Sequence, residues 1–263
     1  MILLKGDIFD IIMFYQAYKP ARAFFAKTIE YAGAEKLKQD WELAIKDLPI
    51  TTTESMMMMS ASHDTPRLPT SFFNKGKYKY QVKPTDNIDY KTGKPDVETF
   101  KRVMLYLTYQ FTMPGAPQIW AGDEMGMWGG DDPDCRKPLW WDDMTFENES
   151  NDPFKVENAS YPVSFNYELN DFYKKLIQLR KKYLVLRTGE LTFVKAEGDL
   201  LILKRSSEKE IILVIFNNSN LPIQLPADTD FEGTDVLKNM SIHLTEGSEI
   251  APLTSQILQI NRN

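Results

Sequence analysis

Sulfur and imidazole are scarce in this chain. Its 263 residues include one cysteine, Cys135, and two histidines, His63 and His243. A lone cysteine excludes an internal disulfide and says nothing about compartment. One Cys and two His also leave too few ligands for a zinc site of the usual kind. No run of Lys or Arg exceeds the three residues Arg180–Lys182, and the net charge is −6. A phosphate-binding surface normally carries a basic excess, so nucleic acid is not an expected partner. No apolar stretch reaches the roughly 18 residues of a membrane span. The most apolar opening, "MILLKGDIFDIIMFYQ", is broken by Lys5, Asp7 and Asp10. It also lacks the basic leader and small-residue cleavage site of a signal peptide, and any such peptide would lie upstream of this segment. A membrane is therefore not an expected partner, and the compartment stays open.

What is present reads as ordinary globular material. Hydrophobic residues make up 43% and charged residues 26%, enough for a large domain and a smaller one. Up to about Tyr183, short apolar runs alternate with helical patterns. "FDIIMFY" (9–15) reads as a buried strand, "KPARAFFAKTIEYAG" as a helix closed by Gly33, and "AEKLKQDWELAIKDL" as a more polar helix. "SMMMMSAS" reads as a second strand by its length and abrupt end. "PDVETFKRVMLYLTYQFTMPG" is a helix punctuated by Pro95-Asp96 and Pro114-Gly115. "APQIWAGDE" is a third strand, and "ELNDFYKKLIQLRKKY" an amphipathic helix. This alternation predicts an α/β fold of parallel βα units. From residue 185 onward the pattern becomes short strands between Gly, Asn, Asp and Pro turns, which predicts an all-β antiparallel sandwich or small barrel over 185–263.

The stretch "SMMMMSASHDTPR" (55–67) ends an apolar run in an imidazole and a carboxylate. In a βα barrel the chemistry sits at the C-terminal ends of the strands. His63 and Asp64 would occupy such a rim, beyond the small residues Ser60, Ala61 and Ser62, before Pro66 turns the chain away. A plain surface turn fits the same residues. Position and composition alone leave the two readings balanced.

The third strand tilts that balance. "GAPQIWAGDEMG" also ends in small residues and carboxylates, then runs into "MWGGDDPDCRKPLWWDD". Asp131, Asp132, Asp134, Arg136 and three tryptophans fall within that loop. Carboxylates and a guanidinium offer paired hydrogen bonds to hydroxyls, and an aromatic ring can stack on a sugar's C–H face. For Asp132 and Arg136 the ligand-binding reading is favoured. For the tryptophans packing is favoured.

These residues resemble a known family. "SASHDTPR" and "GAPQIWAGDEMGMWGGDDPDCRKPLWW" resemble two motifs of the α-amylase family, glycoside hydrolase family 13, with the likeness strongest to its neopullulanase and cyclomaltodextrinase branch. The resemblance implies that residues 1–184 are the C-terminal part of a (β/α)8 TIM barrel, about strands six to eight with their helices, followed by the β-sandwich domain 185–263. It implies that Asp64 is the catalytic carboxylate that stabilises the transition state, and that His63, Asp132 and Arg136 bind substrate. The implied partner is an α-glucan oligosaccharide, a maltooligosaccharide or a cyclodextrin. Calcium is implied only as an option of the intact parent, since many relatives use it; no other cofactor and no metal ligand is indicated here.

The family's nucleophile and acid/base lie at strands four and five, and no matching motif occurs in this chain. A retaining glycosidase needs two carboxyl groups about 5 Å apart. Glu54 falls at the wrong end of its strand, Glu124 matches a structural position, and with Asp123 they supply no replacement pair. A whole barrel takes about 250 residues, and only about 185 precede the β-region. The expected protein is thus the C-terminal fragment of a retaining hydrolase of α-1,4-glucosidic bonds, inactive alone. Its open sheet edge invites a dimer or a complementing N-terminal half. The alternatives are a non-catalytic carbohydrate-binding or scaffold protein, and a fold remnant without ligand.

Overall fold

The computed structural model of the chain describes residues 11–76, 79–150 and 160–261. Its first half runs α1 (Tyr15–Phe25), α2 (Gly33–Ile45), α3 (Ile50–Ser55), β1 (Met57–Met58), α4 (Leu68–Phe73), α5 (Val97–Thr112) and β2 (Ala116–Pro117). A small hairpin of β3 (Glu149–Ser150) and β4 (Ser160–Tyr161) follows, then α6 (Tyr167–Lys182) and α7 (Val185–Thr188).

Three segments lie side by side and parallel. Met13 bridges Met57, and β1 pairs β2 with Met57 opposite Ala116 and Met58 opposite Pro117. The ladder is brief. Phe14 N donates to Met57 O at 2.9 Å, and Ala116 N and Gln118 N donate to Met56 O and Met58 O, each at 2.8 Å. Beyond it, α5 side chains take over: Gln110 Nε2 donates to Met58 O at 2.7 Å and Gln118 O at 2.8 Å, and the Tyr106 hydroxyl donates to Met59 O. Gly115 permits the close approach of the third segment. Its φ is +104°, and a Cβ there would lie 2.7 Å from Met56 O.

Several expected boundaries differ. Phe9 and Asp10 of the first expected strand lie outside the described residues; of the rest only Met13 is bridged, because Tyr15 already opens α1. The helix expected to close at Gly33 starts earlier and ends at Phe25, with Lys27 left-handed at φ 50°. Gly33, at φ +80°, begins α2 instead. The expected methionine strand is only Met57–Met58, since Ser55 still belongs to α3. By contrast α5 is punctuated as its sequence predicts: Asp96 caps it, accepting from Thr99 N at 2.7 Å, and it stops before Pro114-Gly115.

The C-terminal region forms a six-stranded antiparallel sheet in the order β10-β9-β12-β7-β6-β5, comprising β5 (Glu190–Glu197), β6 (Leu200–Ser206), β7 (Ile211–Asn217), β9 (Asp230–Asp235), β10 (Met240–Thr245) and β12 (Thr254–Ile260). A second layer holds only β8 (Ile223–Gln224) paired with β11 (Glu249–Ile250). Strand alternation divides the side chains between two cores. Leu201, Leu203, Ile212, Val214, Phe216 and Ile257 face the helices. Leu200, Ile202, Leu213, Ile215 and Leu258 join Leu225, Leu244 and Ile250 in a separate cluster under the two-stranded layer. That is why "LLIL" and "IILVIF" read as unbroken apolar runs. The helix-facing core is continuous with α1 and α5, where the Phe25 ring lies 5.6 Å from that of Phe216. Among the described residues no helix is long and apolar enough to cross a membrane.

Candidate functional site

The loops leaving β1 and β2 meet on one rim. After β1 the chain stays buried through Met59, Ser60, Ala61 and Ser62, and then emerges. His63 and Asp64 side chains are about half exposed, with Nε2 and Oδ1 3.4 Å apart. Small residues at a strand tip would leave room at its mouth, but Ser60, Ala61 and Ser62 are covered. Ser62 shapes the turn: its N–H donates to Thr65 Oγ1 at 2.9 Å, and its hydroxyl accepts from Asp64 N at 3.1 Å. The Tyr15 hydroxyl, at the tip of the first parallel segment, lies 3.3 Å from Ser62 Oγ.

The second loop comes to meet this turn. Arg136 Nε pairs with Asp132 Oδ1 at 2.5 Å, both side chains about half exposed. Arg136 Nη2 also donates to the His63 carbonyl at 3.3 Å. The buried Cys135 thiol donates weakly to the same carbonyl at 3.5 Å, and burial pushes its pKa up to about 11, beyond thiolate chemistry at neutral pH. All four sequence-predicted residues, His63, Asp64, Asp132 and Arg136, therefore share one surface. A carboxylate accepts from two neighbouring hydroxyls and a guanidinium donates to two, so this rim suits a polyhydroxylated ligand.

Residues that the sequence did not single out hold the rim in place. Arg67, the residue capping α4, is buried and donates to Ala121 O at 2.9 Å and to Asp123 Oδ1 at 3.1 Å. It thereby ties the first loop to the second. Its backbone N–H donates to Gly129 O at 3.1 Å, while Gly129 N donates to Thr70 Oγ1 at 2.8 Å. Trp120 lies between the loops, its ring 6.2 Å from that of His63 and its Nε1 donating to Cys135 O at 3.4 Å. The one available signal for Trp120 was its position beside the small residues at a strand tip. The three tryptophans of that loop divide: Trp128 and Trp140 pack edge to face at 4.4 Å with Met125 and Met127, and Trp141 is about half exposed.

Residues 2–189 match the family model for the alpha amylase catalytic domain. The chain belongs to the α-amylase family. Among its relatives in that family is a cyclomaltodextrinase from Geobacillus thermopakistaniensis (strain MAS1), 31% identical over 232 residues, which cover 88% of this chain and 32% of that protein. Neopullulanase 2 of Thermoactinomyces vulgaris is 26% identical over 251 residues, 93% of this chain and 35% of that one. The chain thus spans about a third of the length of these α-amylase-family relatives. Two solved structures share its fold. An Anoxybacillus alpha-amylase superposes with a TM-score of 0.70 at 21% identity, covering 99% of this chain and 49% of that one. The type III pullulan hydrolase from Thermococcus kodakarensis gives 0.71 at 23% identity, covering 98% and 37%.

Proposed function

We propose that this chain is the C-terminal part of a retaining α-glucan hydrolase acting on α-1,4-glucosidic bonds, and that alone it holds a glucan without cleaving it. In this reading residues 1–184 are strands six to eight of an eight-stranded β/α barrel with their helices, and 185–263 the β-sandwich domain. The observation that carries it is the convergence of His63, Asp64, Asp132 and Arg136 on one rim from two separate loops.

Each residue has a chemical part. Asp64 accepts hydrogen bonds from ring hydroxyls at the cleavage subsite, bonds that tighten as the sugar flattens towards the oxocarbenium-like transition state. His63 donates to the same sugar. The Asp132–Arg136 pair fixes the adjacent glucose on the non-reducing side. The two carboxyl groups that break the bond belong to parts of the relatives that this chain does not span. A complementing N-terminal half would supply them along the Met13 edge, which could otherwise pair with a second copy. Among the described residues no three His, Cys, Asp or Glu side chains converge to hold a cation.

The same rim would serve a non-catalytic glucan-binding protein. Supplying an N-terminal half that carries the missing motifs separates the two, because only the enzyme reading predicts that hydrolysis appears. For the rim itself the test is calorimetry with maltotriose. Charge-assisted hydrogen bonds are worth about 1.5–3 kcal/mol, so Asp132→Ala and Arg136→Ala should each weaken binding about tenfold or more. Affinity unchanged in both variants would overturn the assignment.

A further inference from the structure

We infer that Tyr15 is a positioning residue for Asp64: its hydroxyl orients that of Ser62, which holds the Asp64 N–H and so sets where the carboxylate stands. The inference rests on the proposed function and adds to the rim a residue from the first parallel segment.

Tyr15 follows directly on the short parallel ladder. Met13 bridges Met57, and Phe14 N donates to Met57 O at 2.9 Å, so the backbone before Tyr15 is fixed against β1. From there its hydroxyl lies 3.3 Å from Ser62 Oγ, in the turn that follows the same strand. Ser62 and Thr65 are buried and frame that turn: Ser62 N donates to Thr65 Oγ1 at 2.9 Å, and Thr65 N donates to Ser62 O at 3.4 Å. Neither bond uses Ser62 Oγ. That atom accepts from Asp64 N at 3.1 Å, and among the described residues its other partner is Tyr15.

One peptide plane is therefore gripped from both sides. The His63 carbonyl and the Asp64 N–H belong to the same planar unit and point in opposite directions. On the carbonyl side the partners are Arg136 Nη2 at 3.3 Å and, weakly, the Cys135 thiol at 3.5 Å. On the N–H side the partner is the Ser62 hydroxyl. A hydroxyl has one proton and two lone pairs, so Ser62 Oγ can accept from Asp64 N and still bond to Tyr15. Whichever of the two hydroxyls donates, Tyr15 favours the Ser62 rotamer that faces the amide. The Asp64 side chain has little else to hold it. It is about half exposed, and so is His63, whose Nε2 lies 3.4 Å away. Exposed pairs of that kind contribute little. A carboxylate in place for only a fraction of the time binds its sugar more weakly by that fraction.

The test measures amide exchange at Asp64 by NMR and maltotriose affinity by calorimetry, both on the 263-residue chain. The variants are Tyr15→Phe, Ser62→Ala, the two combined, and Tyr183→Phe. The last removes a hydroxyl bond of similar kind, to Gln259 Oε1 at 2.9 Å, between the end of α6 and β12. Tyr15→Phe and Ser62→Ala should each speed exchange at Asp64 and weaken maltotriose about three- to tenfold. The combined variant should match Ser62→Ala alone, because the two hydroxyls act in series. Tyr183→Phe should leave both readings unchanged. Unchanged Asp64 exchange in Tyr15→Phe, additive losses in the combined variant, or an equal effect of Tyr183→Phe overturns the role of Tyr15 and leaves the glucan reading standing. A wild type that does not bind maltotriose overturns the glucan reading instead, and the exchange rates still decide whether Tyr15 sets the Asp64 amide.

Discussion

His63 and Asp64 are half exposed, while Arg67 and Asp123 beneath them are buried almost completely. In the proposed reading the first pair faces a ligand; the second holds two loops together. Burial lifts the Asp123 carboxyl to about 7, with the nearby Arg67 cation opposing that only in part. In an unfolded chain the same carboxyl loses its proton near pH 4. Between about pH 4 and 7 the native state therefore binds more protons, and this contribution to stability falls as pH rises. Asp123→Asn should remove a slope of up to about 1.4 kcal/mol per pH unit. Urea midpoints at pH 4.5 and 7 check this: a constant difference between wild type and variant would contradict it. At this scale the sequence showed the rim better than its support. His63-Asp64 stood out as charged groups ending an apolar run, and Asp132–Arg136 as part of a loop crowded with carboxylates and tryptophans. Arg67 and Trp120 did not, because only the fold reveals that one is buried and the other lies between two loops.

At the scale of elements, the end of α5 depends on cations that come from far along the chain. Arg205 donates to Thr112 O at 2.6 Å, Gly189 O at 2.8 Å and Leu186 O at 3.0 Å, and Arg180 donates to Phe111 O, Met113 O and Gly115 O. These are the carbonyls a helix end leaves open. Arg205→Met would leave three acceptors without their donor and should cost about 3 kcal/mol or more, read from chemical denaturation. A loss below about 1 kcal/mol would mean that water replaces the guanidinium. At the other end of α5, Asp96→Ala should cost about 1 kcal/mol as a lost cap. Burial works against the ionised Asp96, yet its bonds to Thr99 outweigh this and hold the carboxyl below its ordinary range. Its contribution is therefore present at neutral pH and fades as the solution is acidified through that lowered value. Helices with a capping acid and a Pro-Gly stop were legible for that reason. The parallel strands were overestimated, since "SMMMM" has the apolarity of a strand but only two residues find a ladder. The strand "DFEGTD" was missed because a lone apolar residue, Phe231, sets no alternating pattern; pairing with β10 and β12 makes it a strand.

At the scale of the whole molecule, three parallel segments and a six-stranded sheet share one helix-facing core, and among the described residues Met13 and β2 are the two outer edges of the parallel ladder. Unpaired edges of this kind seek a partner. Light scattering after size-exclusion chromatography should find a dimer, or a chain that becomes well behaved with an added N-terminal half; a stable lone monomer would count against that. The family was legible from two motifs, and the match over residues 2–189 bears it out. In the proposed reading this chain keeps the sugar-holding side of the site and lacks the bond-breaking side. One calorimetric titration of maltohexaose tests it most directly. The expected result is a saturable binding heat, abolished by Asp132→Ala with Arg136→Ala, and no sustained heat of turnover afterwards. Continuing turnover heat from the purified chain, or no saturable binding at all, would contradict it.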